Sequence, residues 1–360
     1  MPAFSPSRLA LARKRRGFTK IALAERAGIS TRMLTEYEHT ERAPSAETLS
    51  RLADALDFPV EFFSGPVLEE ADPEGASLRA LSTLSAKQLD QAFGSATFAL
   101  ALAKWVAGRF KLPEPDIPQI HDLGPDAAAE AVRHEWGLGE RPVRNMIHLL
   151  EAHGVRVFSL VEECAELDAF SFWHKRIPYV FLNTRKSAER SRMDAAHELG
   201  HLVLHWGHRP AQSKDAEHEA KAFGSAFLMP RDSIVASVPK HPQLTTLISA
   251  KRSWNVAVAA VAYRMHTLGL LSDWEYRMLF IEIGEAGYRR TEPESGSREK
   301  SQVLEKVFEI ARTRGKSKKS IAEELNVPLD ELNKVVFGLV LSPVPDRLVE
   351  PISPAQLIDL

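Results

Sequence analysis

Residues 187–206, SAERSRMDAAHELGHLVLHW, decide the fold of the central part of the chain. Their apolar and small side chains recur at helical spacing, which predicts a buried helix. His197 and His201 stand four positions apart, so both imidazoles lie on one face of that helix. Two imidazoles placed in this way can bind one metal ion, and Glu198 can act as a general base toward a metal-bound water. The pattern predicts a Zn2+ site with His197 and His201 as ligands and Glu198 as the catalytic residue.

A hydrolytic zinc site needs a third protein ligand and an open position for water. The next segment with metal-binding side chains is DAEHEAKAFGSAFLMP, residues 215–230. Its candidate ligands are Asp215, Glu217, His218 and Glu219. Glu219 shares a helical face with Phe223 and Phe227, the side expected to pack inward, whereas Glu217 points roughly the opposite way. We therefore expect Glu219 to complete the site, and we expect His205, one turn beyond His201, to play a supporting or structural role.

The two metal-bearing segments, together with AFSFW and PYVFLN before them, resemble the ImmA/IrrE family of bacterial metallopeptidases over about residues 125–290. The resemblance implies a compact, thermolysin-like zinc fold and a ligand role for Glu219, which directly precedes an Ala as in the family pattern. Several family members cleave a transcriptional repressor under stress, so it also implies endopeptidase activity on a repressor protein. The position after Ala220 is usually Asp or Asn in the family and is Lys221 here. A zinc-sensing transcription factor without proteolysis, or an antitoxin-like regulator, is the alternative.

The N-terminal part of the chain contains a series of short helical segments with clear start signals. Thr19, Ser30 and Ser45 each precede an apolar helical run, and side chains of this type cap helix N-termini. Gly28 falls where a sharp turn is needed between two helices. Residues 5–63 resemble the phage-repressor (XRE) type of helix-turn-helix, and the partner that this implies is a double-stranded DNA operator, bound by a homodimer.

The residues predicted to contact DNA lie on the exposed start of the second helix of the motif and beside it. These residues are Lys20, Ser30, Thr31, Arg32 and Thr35. Ser30, Thr31, Arg32 and Thr35 would enter the major groove, and Lys20 together with a basic cluster at residues 13–16 would supply charge for phosphates. The alternative is a helix-turn-helix used only for protein interaction.

The rest of the chain is organised around these two motifs. VRVFSL, AFSFW and YVFLN predict strands, and YVFLN could form the edge along which a peptide substrate lies. The fold class expected is mainly α with a small β-sheet. The expected domains are a helix-turn-helix domain at 1–65, a linker and helical connector at 66–124, an α+β zinc metallopeptidase domain at 125–288, and a helical C-terminal region at 289–360.

Composition narrows the class of protein further. The formal net charge is -2, so any DNA-binding surface must be local. A single cysteine, Cys164, excludes a disulfide framework and a cysteine-based zinc site. No signal peptide or membrane span is recognisable, which predicts a cytoplasmic protein without a membrane partner.

The segments that join these parts carry two further expectations. The acidic linker around Glu69 and Glu70 has no apparent hydrophobic anchor, so the DNA-binding and zinc sites should act independently. The C-terminal stretch IAEELNVPLDELNKVV has a helix-turn-helix rhythm, but its acidic residues favour packing or oligomerisation over a second DNA contact.

Overall fold

The computed structural model describes residues 4–40, 42–71, 84–160, 167–206, 214–239 and 241–340. Cys164 and residues 72–83, which include the end of the predicted acidic linker, lie outside these residues. The helices are α1 Pro6–Arg15, α2 Lys20–Ala27, α3 Thr31–His39, α4 Ala46–Leu56, α5 Ala86–Ala107, α6 Pro125–Glu135, α7 Met146–Ala152, α8 Ala188–Leu204, α9 Lys214–Leu228, α10 Arg231–Ser237, α11 Leu244–Trp254, α12 Val258–Thr267, α13 Asp273–Glu285, α14 Gln302–Thr313, α15 Lys318–Leu325 and α16 Leu329–Val335. The strands are β1 Arg156–Ser159, β2 Ala169–His174 and β3 Ile177–Leu182. The prediction of a mainly α fold with a small sheet is confirmed.

The N-terminal helices begin at the residues that the sequence indicated. The side chains of Thr19, Ser30 and Ser45 each accept a hydrogen bond from a backbone N–H in the first turn of α2, α3 and α4. Gly28 ends α2 in the left-handed conformation, with φ of 65°, which lets the chain turn sharply into α3. These caps fix the angle between α2 and α3, the two helices of the DNA-binding motif.

The sheet has the strand order β1-β3-β2 within the described residues. β3 pairs in parallel with β1 and antiparallel with β2, so it is the central strand. The expectation that YVFLN forms the sheet edge is therefore wrong. Its side chains are buried on both faces, which explains an apolar run without alternation. The edge strand that packs beside α8 is β2.

The two helices that carry the predicted metal ligands, α8 and α9, pack very closely because glycines stand where they cross. A Cβ added at Gly200 would lie 3.0 Å from the Ala220 carbonyl oxygen, and one added at Gly224 would lie 2.9 Å from the His197 backbone nitrogen. Both helices are largely buried. The close approach brings side chains near the start of α9 within reach of the histidines on α8.

The helix-turn-helix is anchored on the rest of the protein by apolar contacts. Phe58 and Phe62, which follow α4, pack against Phe98 of α5 with ring centroids 6.2 and 6.1 Å apart. Gly94 of α5 lets the same helix approach Arg15. The expected absence of a hydrophobic anchor is therefore wrong, since the end of the DNA-binding motif packs on α5, and Leu68 and Ala71 of the linker also pack against the core.

The C-terminal region, which contains helices α14, α15 and α16, contacts both the DNA-binding motif and the end of the sheet. Glu331 of α16 is completely buried and binds Arg15 and Arg16 of the DNA-binding motif. Just beyond α16, the Phe337 carbonyl accepts a hydrogen bond from Thr184, which follows β3. Glu331 is one of the acidic residues from which we predicted packing and no second DNA contact, and it forms a packing contact. No helix among the described residues has the length and apolar character needed to cross a membrane.

Candidate metal centre and nucleic-acid interface

Three side chains converge between α8 and α9. His197 Nε2 lies 3.1 Å from His201 Nε2, and the two nitrogens each lie 3.3 Å from a different carboxylate oxygen of Glu217, Oε2 and Oε1 respectively. Their donor atoms all lie within 4.8 Å of one another, the arrangement expected of residues that hold one metal ion. The Glu217 Oε1 atom is buried and accepts no well-aligned hydrogen bond among the described residues, although His201 Nε2 lies 3.3 Å away. Burial of an acceptor atom without a donor is costly, so this oxygen is suited to a cation.

The third member of this cluster is Glu217, and the predicted residue Glu219 does not join it. Glu219 lies on the side of α9 that carries Phe223, as the helical-face argument held, but that side meets the end of α8. There its Oε2 lies 3.0 Å from His205 Nε2. Glu217 instead lies seven positions before Gly224, which packs on the His197 backbone, and residues seven apart share a helix face. The expectation that Glu217 points away from the histidines is therefore wrong.

Glu198, the predicted catalytic residue, lies beside this cluster and is almost completely buried. Its Oε2 accepts a hydrogen bond of 2.6 Å from the hydroxyl of Ser171 on β2. Ser171 is itself buried, so the bond is shielded from water. The edge strand of the sheet thus fixes the orientation of the carboxylate that the sequence singled out.

The two histidines of the cluster differ in protonation. Burial lowers the pKa of His197, but the hydrogen bond with Glu217 and the nearby carboxylates outweigh burial and raise that pKa. Burial lowers the pKa of His201 to about 4, so its imidazole is neutral near pH 7, as a metal ligand requires. Burial raises the pKa of Glu217, but hydrogen bonds and charge from His197 and His201 outweigh it and hold that pKa far below its usual value. The result is a carboxylate facing two ring nitrogens.

Lys221, the residue that departs from the family pattern, packs against an aromatic ring. Its ammonium lies 4.6 Å from the centroid of the Tyr263 ring on α12, within the range of a cation–π interaction. One turn before His197, Asp194 is paired with Lys186 at 2.9 Å. Lys221 therefore contacts Tyr263, and Asp194 contacts Lys186.

The residues predicted to contact DNA lie together at the start of α3. Ser30, Thr31 and Arg32 are exposed, and the Arg32 side chain is 89% exposed despite an ion pair with Glu36. Thr35 is half-buried, and its hydroxyl donates to the Thr31 carbonyl. These four residues form one accessible surface, which we call the α3 surface.

Lys20, at the start of α2, is held by contacts with the last turn of α3. Its Nζ lies 2.9 Å from His39 Nε2 and 3.4 Å from Glu38 Oε2, and its side chain is 30% exposed. Part of the Lys20 side chain therefore remains accessible to solvent.

The basic cluster at residues 13–16 does not form the expected phosphate-binding surface. Arg13 is bound to Glu38 by two hydrogen bonds of 2.5 and 3.1 Å. Arg15 and Arg16 bind Glu331 at 2.7 and 2.6 Å, and the Arg15 side chain is fully buried. Three of the four charges therefore hold the motif together or attach it to α16, and the expectation is wrong for them.

Sequence reasoning missed Glu217, Ser171 and the contact between His205 and Glu219. Ser171 could have been found, because it is the only polar residue in the run AFSFW. A hydroxyl in the middle of a buried strand needs a hydrogen-bond partner. The choice between Glu217 and Glu219 depends on how two helices cross, for which the sequence carries no local signal.

Comparison with known families finds two matches in the chain. The chain matches the family model of the IrrE N-terminal-like domain of the M78 peptidases over residues 150–266, and a helix-turn-helix family model over residues 9–63. The predicted resemblance to both families, with the helix-turn-helix first, is confirmed. The matches support a DNA-binding motif and a metallopeptidase-like domain in one chain. No curated protein matches it.

Proposed function

We propose that the chain is a DNA-binding regulator whose metal centre is a zinc endopeptidase site. The observation that carries this proposal is the convergence of His197, His201 and Glu217 beside the buried carboxylate of Glu198. Two nitrogen ligands and one carboxylate, with a fourth position open, form the donor set of catalytic zinc sites.

The distances within the cluster fit zinc. A tetrahedral ion with bonds of about 2.0–2.1 Å places neighbouring ligand atoms roughly 3.3–3.4 Å apart. The two ring nitrogens lie 3.1 Å apart, and each lies 3.3 Å from a different oxygen of the Glu217 carboxylate, Oε2 for His197 and Oε1 for His201. The buried Glu217 Oε1, which accepts no well-aligned hydrogen bond among the described residues, would gain a partner in the ion. In this proposal His197, His201 and Glu217 hold the metal.

The residues around the metal supply the remaining chemistry of peptide hydrolysis. Bound zinc would acidify a water and polarise the scissile carbonyl. Glu198 takes a proton from the attacking water and returns it to the leaving nitrogen. Ser171 fixes one oxygen of that carboxylate through its 2.6 Å hydrogen bond, so the base keeps one orientation.

The position of β2 suggests how a peptide would lie. β2 pairs with β3 on one side, and no strand pairs with its other side among the described residues. Ser171 of this strand contacts Glu198, so a peptide that adds to β2 as a further strand would pass the base. Trp173 and Trp206, with ring centroids 4.8 Å apart, lie near that path and suit an apolar substrate side chain.

We propose a repressor protein as the substrate and the cytoplasm as the site of action. Binding to an operator as a homodimer would place the peptidase beside a DNA-bound repressor. The proposal is tested by incubating the full chain, loaded with zinc or stripped with a chelator, with the repressor proteins of its own host, one at a time. Cleavage by the zinc form, lost with chelator and restored by zinc, supports it. Intact repressors in every incubation contradict it.

A non-proteolytic zinc sensor is the second candidate function. It is supported by contacts that connect the DNA-binding motif to the metal-bearing domain. Phe62 and Arg15 of the DNA-binding motif pack on α5 and α16, and α16 in turn contacts β1 beside the metal-bearing domain. Such contacts could transmit metal binding to the operator site. A change of at least tenfold in operator affinity on zinc removal, about 1.4 kcal/mol of coupling, together with no cleavage, would establish the sensor.

For DNA recognition we expect Arg32→Ala to reduce sequence discrimination by about 1–3 kcal/mol, the cost of losing a base contact. The surface ion pair with Glu36 is worth less than about 1 kcal/mol and does not prevent this role. The measurement is fluorescence anisotropy with an operator selected from a random DNA pool and with a scrambled duplex. Lys20→Ala is the matched control: it should weaken binding to both duplexes equally and lower the salt slope by about one unit. Equal loss on both duplexes for Arg32→Ala would contradict base readout.

A further inference from the structure

Behind the proposed metal ligand His201 lie two further side chains in a row. His201 Nε2 faces the metal cluster, and its other ring nitrogen, Nδ1, lies 3.1 Å from His205 Nδ1. The opposite nitrogen of His205, Nε2, lies 3.0 Å from Glu219 Oε2. His205 is 4% exposed and directly follows α8, whereas Glu219 comes from α9. The row therefore runs from the cluster to the partly exposed end of the two helices.

The hydrogen positions in this row follow from its two ends. A metal ligand presents a lone pair at Nε2, so the proton of neutral His201 resides on Nδ1 and can be donated. His205 must then accept at Nδ1, which places its own proton on Nε2, facing the carboxylate. Glu219 accepts that proton's hydrogen bond. Each donor meets an acceptor, and no other assignment of the two neutral rings satisfies both contacts.

We propose that His205 and Glu219 are positioning residues that fix the tautomer and ring orientation of His201 for metal binding. The inference rests on the proposed metal site. Metal-bound histidines commonly donate their second N–H to a carboxylate or carbonyl, and loss of that support typically weakens metal binding about 10–100-fold. Here the carboxylate acts through an intervening imidazole. The sequence predicted that Glu219 binds the metal directly. In this proposal it acts on the ligand His201 through His205.

The competing explanation is a mechanical one. The contact between His205 and Glu219 joins the end of α8 to α9, so it could stabilise the pair of helices without influencing the metal. The two explanations differ in what they predict for metal affinity compared with the stability of the metal-free protein. A mechanical contact would lower the melting temperature and leave the affinity of the folded protein unchanged.

The test measures the zinc dissociation constant of the full chain by competition with a chromophoric chelator, alongside the melting temperature of the metal-free protein. Glu219→Ala and His205→Phe are expected to weaken zinc binding about 10–100-fold. His205→Phe keeps a buried ring and removes only the nitrogens. Glu219→Gln keeps an acceptor oxygen and should recover affinity to within about tenfold of the wild type. His218→Ala, an exposed neighbour on α9, is the matched control and should bind zinc normally.

A second readout follows the geometry at the metal directly. The visible absorption of the cobalt(II)-substituted protein should change in Glu219→Ala and His205→Phe and should resemble the wild type in Glu219→Gln. Wild-type zinc affinity and an unchanged cobalt spectrum in the first two variants would overturn the proposal. Neither measurement uses proteolysis, so a protein that binds zinc as predicted but cleaves no repressor would contradict the proposed activity and leave this inference standing.

Discussion

Replacing Glu331 by Ala is expected to destabilise the protein by about 3–5 kcal/mol, because it leaves the buried charge of Arg15 without its carboxylate. The side chains of Arg15 and Glu331 are both fully buried, with Nε and Oε2 2.7 Å apart. Arg16, 15% exposed, shares the same carboxylate. The measurement is the free energy of unfolding of the full chain from urea denaturation.

The neighbouring residue offers a matched control for this prediction. Asp330 is 48% exposed and lies 3.7 Å from Arg16, so Asp330→Ala should cost less than about 1 kcal/mol. Combining Glu331→Leu with Arg15→Met should restore much of the stability, because an apolar pair can replace a buried ion pair. Equal, small losses for Glu331→Ala and Asp330→Ala would show that α16 does not hold the DNA-binding motif.

Replacing Glu217 by Ala is expected to remove zinc binding almost completely. Glu217 supplies the carboxylate of the cluster among the described residues. Its removal should lower zinc affinity by more than about 100-fold, because loss of a residue that only supports a ligand already lowers metal affinity roughly 10–100-fold. Elemental analysis after dialysis, followed by competition with a chelator, measures the effect. Asp215→Ala, an exposed acid on the same helix, serves as the control and should retain zinc.

The outcome also decides between Glu217 and Glu219. The structure predicts the larger loss of zinc for Glu217→Ala and a smaller one for Glu219→Ala. Full zinc content in Glu217→Ala, with none in Glu219→Ala, would return the ligand role to the residue that the helical pattern first indicated.

The two glutamates show where prediction from sequence ends. His197, Glu198 and His201 could be placed because four residues make about one helical turn, which is local geometry. The third member of the cluster depends on how α8 crosses α9, and that crossing is set by contacts at Gly200 and Gly224. The sequence shows that Glu219 lies on the same side as Phe223, but not which residue of α8 that side meets.

The basic cluster illustrates the same limit for charge. A run of Arg and Lys at residues 13–16 indicates positive charge near the DNA-binding motif, but not which side chains face solvent. The partner of Arg15 is Glu331, 316 positions later in the chain. The start of α3 could be predicted because its cap is local. Strand identity could likewise be predicted for β3, whereas its central place in the sheet could not.

The most direct test of the central claim is a comparison of the wild type with Glu198→Gln. The substitution keeps the size of the side chain and an oxygen that can accept from Ser171, and it removes no member of the metal cluster. Both proteins are loaded with zinc, checked by elemental analysis, and incubated with host repressor proteins, and cleavage is followed by mass spectrometry. We predict equal zinc content and a loss of cleavage of about 10²–10⁴-fold, the usual worth of a general base. Cleavage by Glu198→Gln at the wild-type rate, or none by the zinc-loaded wild type, would contradict the account.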